Sequence, residues 1–300
     1  MIMYKNFDEL RAGISSLEPR TVVVAAAHDE KTLEAVYSAV DALPMRYILV
    51  GNRRRIIEMS AELGAAADES MIVDGDDNTD CVRKAVALVR EGRGDVLMKG
   101  IPETGTLLKA VLDKENGIKD RDTMSHVAIM QVPGYHKLIA ITDAAMLTYP
   151  TLEQKADIVR NAVALYSKIG IDRPKIAALC ASETVSERMP ETLDARALHE
   201  MCERGELGDC LLEGPISLDL AVSEHSAKTK GYTGRISGDT DIFLVPTISV
   251  GNVFAKSLLY FCGAKMAGCV LGAKVPIAVV SRTSSVEEKL LSIMLCLKGG

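Results

Sequence analysis

Short runs rich in β-branched residues alternate along this chain with segments of helical periodicity, and that alternation most limits its fold. Residues 21–27 (TVVVAAA) are continuously apolar, and 29–42 then set Leu33, Val36, Tyr37 and Val40 on one helical face. The series continues with YILV at 47–50, a basic helix start at 53–55 and a short strand at 71–73. A helix over 80–90, with Val82, Ala85, Val86 and Val89 inward, leads to a strand over 95–98. Strands apolar on both faces fit a parallel sheet covered by helices on each side. Repeated strand-then-helix order predicts the α/β class.

The rhythm breaks once. Residues 121–131 and 136–142 read as two strands joined through Pro133-Gly134, and a tight turn predicts an antiparallel pair. Pro150 then stops any upstream helix, and Thr151 with Gln154 has capping-box spacing at the head of a long helix. Alternation resumes, with strands expected at 175–181, 209–212, 241–245 and 277–280 and helices at 192–204, 217–228, 253–263 and 286–297. No Ser/Gly/Pro-rich linker and no internal repeat separates the halves, so the change of pattern near 137–141 is the predicted hinge. A length of 300 residues suits two domains.

Composition removes several function classes. A formal net charge of −6 gives no bulk attraction to nucleic acid. With no Trp and 4% aromatic residues there is no stacking platform for bases, so no nucleic-acid partner is expected. The seven cysteines show no C-x-x-C pair and read as reduced thiols of a cytoplasmic protein, mostly small buried hydrophobes. The first twenty residues lack the apolar core of a signal peptide, and no apolar stretch is long enough to span a membrane.

Familiar catalytic signatures are missing: no G-x-G-x-x-G after a strand, no G-x-x-x-x-G-K-[ST], no G-x-S-x-G and no H-E-x-x-H. No metal site is expected. Polar residues instead cluster where strands end, the place where open α/β sheets bind ligands. Lys99 and Gly100 close the strand at 95–98, with Thr104 and Thr106 next. A cation and open backbone N–H groups there suit a phosphate, and a solvated loop lysine is the plainer alternative. Gly251, Asn252 and Lys256 follow the strand at 241–245. Asn252 and Lys256 share a helix face, Gly251 allows close approach to a ligand, and an Asn helix cap beside a surface lysine explains the same residues. Ser281 and Arg282 end the last strand. Arg282 suits bidentate phosphate binding and Ser281 an oxyanion. Glu288 follows, and Ser285 with Glu288 also has capping-box spacing.

In order, LMKG (97–100), TDAAM (142–146), PTLEQKADI (150–158), EGPISLDLA (213–221), SGDTDIFLVP (237–246), GNVFAKSL (251–258) and GAKVPIAVVSR (272–282) resemble the phosphate acetyl/butyryltransferase family. The likeness is nearer its butyryl branch and runs over nearly the whole chain. It implies two α/β domains with an interdomain cleft, of isocitrate-dehydrogenase-like fold. The first domain would be 1–137 plus 274–300 and the second 138–273. It further implies acyl transfer between CoA and inorganic phosphate, with acyl-CoA and acyl phosphate as partners, CoA as substrate and no cofactor. A homo-oligomer is the family tendency, and the aliphatic helix around SLLYFCGA fits one.

Ser281 and Arg282 match the family's Ser-Arg pair, and Glu288 matches by spacing an acid that is Asp in the acetyl branch. Glu287 is adjacent, so either glutamate could be that acid. EGPISLDLA also departs from the family form at Glu213 and Leu220, which receive no role. Lys99, Gly100, Thr104, Asn252 and Lys256 are the expected substrate-binding set. Three alternatives remain: the same chemistry on acetyl groups, a metal-dependent NAD(P) oxidoreductase using Asp239 and Asp241, and a silent acyl-CoA-binding protein.

Overall fold

In the computed structural model, which describes residues 3–14, 17–281 and 283–300, local side-chain chemistry sets where the helices begin. The elements of the first part are α1 (Phe7–Ala12), β1 (Arg20–Ala25), α2 (Glu30–Ala42), β2 (Met45–Gly51), α3 (Arg53–Glu62), β3 (Ile72–Asp74), α4 (Asn78–Arg90), β4 (Val96–Lys99) and α5 (Thr104–Val111). Asp29 accepts the Thr32 N–H at 3.0 Å and Asp77 the Asp80 N–H at 2.8 Å, each satisfying an orphan donor of a helix first turn.

The expected antiparallel pair is β5 (Ser125–Gln131) with β6 (Ile139–Thr142), Ala128 facing Ile141. Next come α6 (Leu152–Lys168), β7 (Lys175–Leu179), α7 (Pro190–Glu203), β8 (Leu211–Ile216), α8 (Leu218–Val222), α9 (Glu224–Thr229), β9 (Ile242–Leu244) and α10 (Ile248–Cys262). The chain closes with β10 (Lys265–Leu271), β11 (Ile277–Ala278) and α11 (Val286–Gly299). Both halves of the Thr151/Gln154 capping box are formed at the start of α6.

Two compact units result, one of 8–122 with 267–300 and the other of the residues up to 7 with 123–266. The sequence reading divides the chain at 137/138 and 273/274, whereas the unit boundaries fall at 122/123 and 266/267. The β5–β6 ladder thus lies within one unit. In the first unit the strand order is β3-β2-β1-β4-β11-β10, parallel except where β10 meets β11. Its centre is apolar throughout, with Val22, Val23, Val24, Val96 and Leu97 fully buried. In the second unit the order is β5-β6-β9-β7-β8, parallel beyond the hairpin. There Phe243 lies fully buried against Phe254, edge to face with ring centroids 5.6 Å apart.

Several elements differ from expectation. The helix expected over 217–228 is two short ones, because Ser223 adopts φ −134° and its hydroxyl caps α9 by accepting the Ser226 N–H. α10 starts five residues before the expected Val253. Neither α5 nor β10 was anticipated. No helix among the described residues is long and apolar enough to cross a membrane.

Candidate functional site

The first unit gathers the expected polar residues at the carboxyl end of its parallel strands. Lys99 is the last residue of β4, and Ser281 lies three residues past β11. These strands are hydrogen-bonded neighbours, Leu97 opposite Ile277 and Met98 opposite Ala278, so both residues leave the sheet at one end. Lys99 is not a solvated loop lysine: it is 3% exposed. Its Nζ donates to the carbonyls of Gly100 and Pro102, each at 3.1 Å, and so folds the following loop over the strand end. That loop delivers the half-buried Thr104 as the first residue of α5, whose cap residue Glu103 makes no side-chain cap bond.

Gly100 plays a different part from the one expected. Its N–H donates to the Ala25 carbonyl at 3.0 Å and is therefore not open to a phosphate. A Cβ here would lie 2.2 Å from the Ala26 carbonyl oxygen, so contact with the end of β1 requires glycine.

Ser281 is exposed, with its Oγ 3.0 Å from the Thr283 hydroxyl and accepting the Thr283 N–H at 3.4 Å. Arg282 lies outside the described residues. Glu288 forms the capping box: its Oε2 accepts the Ser285 N–H at 3.0 Å, and its own N–H donates to Ser285 Oγ at 3.1 Å. The half-buried carboxylate thus has a structural task at the head of α11. Next to it Lys289 is 3% exposed, and burial lowers its pKa, partly offset by Asp29. Sequence reasoning missed Lys289, because a lysine in a helix first turn ordinarily reads as surface.

Within the second unit, Asn252 and Lys256 lie on α10. Asn252 is no helix cap, since the helix begins at Ile248 after the cap residue Thr247. Its Nδ2 donates to the Ala144 carbonyl at 3.4 Å, while Lys256 is exposed. Gly251 does allow a close approach, but of the chain's own loop: a Cβ would lie 2.9 Å from the Asp143 carbonyl oxygen. Asp143, quoted in TDAAM but given no role, is 2% exposed. Its carboxylate accepts the N–H groups of His126 (3.1 Å), Ala145 (2.8 Å) and Met146 (2.8 Å) and so shapes the turn that Asn252 touches.

Asp239 and Asp241 stand at the opposite, amino end of β9. Asp241 pairs with Lys137 at 2.6 Å, and Asp239 pairs with Lys175. Both carboxylates are committed to lysines away from the carboxyl edge, which removes the support for a metal-dependent oxidoreductase site there. Cys180 does lie at a strand's carboxyl end, yet burial pushes its thiol up to about 12; burial likewise raises Cys81 to about 11. Neither is set up as a thiolate nucleophile.

Residues 76–297 match the phosphate acetyl/butaryl transferase family. The chain is 41% identical over 293 residues to a phosphate butyryltransferase of Clostridium acetobutylicum, covering 98% of this chain and 97% of that one. A branched-chain phosphotransacylase from Enterococcus faecalis superposes with a TM-score of 0.82 at 34% identity, over 93% of this chain and 98% of the other. A 4-hydroxythreonine-4-phosphate dehydrogenase from Klebsiella pneumoniae, at TM-score 0.54 and 12% identity over 93% and 98% of the two chains, shares the fold alone.

Proposed function

The chain belongs to the phosphate acetyl/butaryl transferase family, and on that premise we propose that it exchanges CoA and inorganic phosphate on a short acyl group, as acyl-CoA plus phosphate giving acyl phosphate plus CoA. One observation carries this reading: neighbouring parallel strands bring the Lys99 loop and the Ser281 turn to one sheet end, inside the span that matches the family.

In the direction that consumes acyl phosphate, the CoA thiol, with a reference pKa near ~8.5 by analogy with cysteine, needs a base. Glu288 takes that proton, the thiolate attacks the acyl carbonyl, and Ser281 donates a hydrogen bond to the developing oxyanion. Arg282 holds the phosphate as it leaves. Lys99 acts through its loop, setting the position of Thr104, and Asn252 and Lys256 belong to the substrate-binding set. Thiol and acyl phosphate react directly, so no acyl-enzyme is needed, consistent with the raised Cys180 and Cys81 thiols.

Glu288→Gln separates base from cap. Glutamine keeps an oxygen for the Ser285 N–H but cannot take a proton. Turnover is expected to fall on the order of 100-fold with the melting temperature nearly unchanged. Undiminished turnover would move the role to Glu287.

Butyryl is the proposed acyl group, in keeping with a place in butyrate metabolism, and acetyl is the second reading because the family spans both. CoA release from butyryl-CoA and from acetyl-CoA, with and without phosphate, tests this by thiol titration. Faster phosphate-dependent release from butyryl-CoA is expected. Faster release from acetyl-CoA would shift the branch, and no release from a folded sample would leave a binding-only protein. The substrates also fit a cytoplasmic enzyme. A homo-oligomer is supported by α10, where Val253, Tyr260 and Phe261 are 65%, 74% and 87% exposed. Sedimentation should give a mass above the single-chain 32.3 kDa, and a monomer would remove the idea.

A further inference from the structure

Seven free cysteines are scattered along the sequence, but the fold brings two of them face to face. Cys202 is the penultimate residue of α7 and Cys210 immediately precedes β8. Their Sγ atoms are 3.7 Å apart, and Cys202 Sγ is also 3.5 Å from the Cys210 carbonyl oxygen. A disulfide bond of about 2.05 Å requires the sulfurs to approach further from this near-contact separation. The connecting loop is held in place, because Leu207 is fully buried and Gly205 and Gly208 take φ of 75° and 89°. The sulfurs therefore meet in the folded chain without rearrangement of the loop.

The environment also divides the labour. The two thiols lie within hydrogen-bond reach of each other, and this interaction lowers the pKa of Cys202 while raising that of Cys210. Nearby Arg235 adds to the lowering at Cys202. The residues are 9% and 7% exposed, so neither is sealed as completely as Cys81, Cys269 and Cys296. By contrast, Cys269 and Cys296 are neighbours that are both fully buried.

We propose that Cys202 and Cys210 form a dithiol oxidation site, converted by a hydroperoxide into an intramolecular disulfide and restored by a dithiol reductant. Cys202 thiolate attacks the peroxide, the O–O bond breaks and an alcohol or water leaves, giving a sulfenic acid at Cys202. Cys210 then loses its proton and attacks that sulfur, and the sulfenic oxygen leaves as water. Two thiols and one hydroperoxide become one disulfide, one alcohol and one water; two electrons pass from sulfur to the peroxide.

Peptide mapping of the native protein tests this with hydrogen peroxide as the probe. After a stoichiometric dose the sample is unfolded in the presence of alkylating reagent and digested with trypsin without reductant. Cleavage after Arg196, Arg204 and Lys228 puts the two cysteines on separate peptides, 197–204 and 205–228. A species joining these peptides, two hydrogens lighter than their sum, is expected before extensive oxidation of the exposed Cys262. Alkylated Cys202 and Cys210 beside oxidised Cys262 would overturn the proposal. In Cys210→Ser, Cys202 should stop at a sulfenic acid trapped by a 1,3-dicarbonyl reagent, and its absence from a folded sample would overturn the order of attack. The wild-type map needs no variant, so a folding failure of Cys210→Ser leaves it decisive.

Discussion

Replacing Arg282 with alanine is expected to lower phosphate-dependent CoA release by roughly 100-fold or more while the protein stays folded. The expectation rests on where charge sits during transfer. Phosphate carries its negative charge throughout, and it has to leave while an oxyanion develops on the carbonyl carbon's oxygen. A guanidinium can give two parallel hydrogen bonds to phosphate, which a single-point ammonium cannot reproduce. Arg282→Lys should therefore recover only part of the loss. The neighbouring architecture supports the site: Ser281 follows β11, and β11 is flanked by β4, whose last residue is the buried Lys99. Steady-state rates against phosphate concentration, with circular dichroism to check folding, provide the measurement. An Arg282→Ala enzyme of near-wild-type turnover and phosphate affinity would end the assignment.

The largest effect on stability is expected at the Lys137–Asp241 ion pair. The side chains are 4% and 7% exposed and meet at 2.6 Å. Lys137 Nζ also donates to the Asp239 carbonyl at 2.6 Å, and the Asp241 carboxylate accepts the Lys175 N–H at 2.8 Å. Tyr166, almost fully buried, donates to the Asp241 carbonyl at 2.9 Å, tying the same point to α6. Burial and the nearby Asp241 carboxylate both push the Tyr135 hydroxyl well above its usual pKa, the mark of a poorly hydrated region. Lys137→Met leaves a carboxylate buried without its cation, which costs about 3–5 kcal/mol. For a unit of this size that is a fall in melting temperature on the order of 10 °C. Adding Asp241→Leu should restore part of the loss, because it removes the stranded charge but leaves the Lys175 N–H and the Asp239 carbonyl without these partners. Calorimetry of the single and double variants decides it, and a Lys137→Met transition unmoved from wild type would show the pair to be dispensable.

Much of this fold was legible because its signals are local. Val22 to Ala27 announce a strand buried on both faces, and Asp29, Thr151 and Ser285 announce helix starts through bonds to residues three positions on. β10 escaped notice because KMAGCVL opens on an exposed lysine and holds a glycine in the middle; the Gly268 N–H is taken by Ser292 of α11, a partner 24 residues away. α5 escaped because its first turn, Thr-Gly-Thr, has low helix propensity. At the site, position along a strand was readable and environment was not. Lys99 could be placed at a strand end from its neighbours in sequence, but its burial depends on the Gly100 and Pro102 carbonyls folding back. Gly251 and Asn252 likewise answer to Asp143 and Ala144, more than a hundred residues earlier.

The order of strands also bears on how the polypeptide forms during synthesis. Residues 123–266 are contiguous and contain β5 to β9, so the second unit's sheet can assemble while the ribosome still holds the remainder. The first unit has no such freedom. β4 leaves the ribosome early, yet the strand that pairs with it on one side, β11, comes from residues 277–278. Through most of translation β4 offers an open edge rich in valine, leucine and methionine, the kind of edge on which nascent chains associate. Protection of that edge by a chaperone would matter most in the interval between the emergence of residue 99 and that of residue 278.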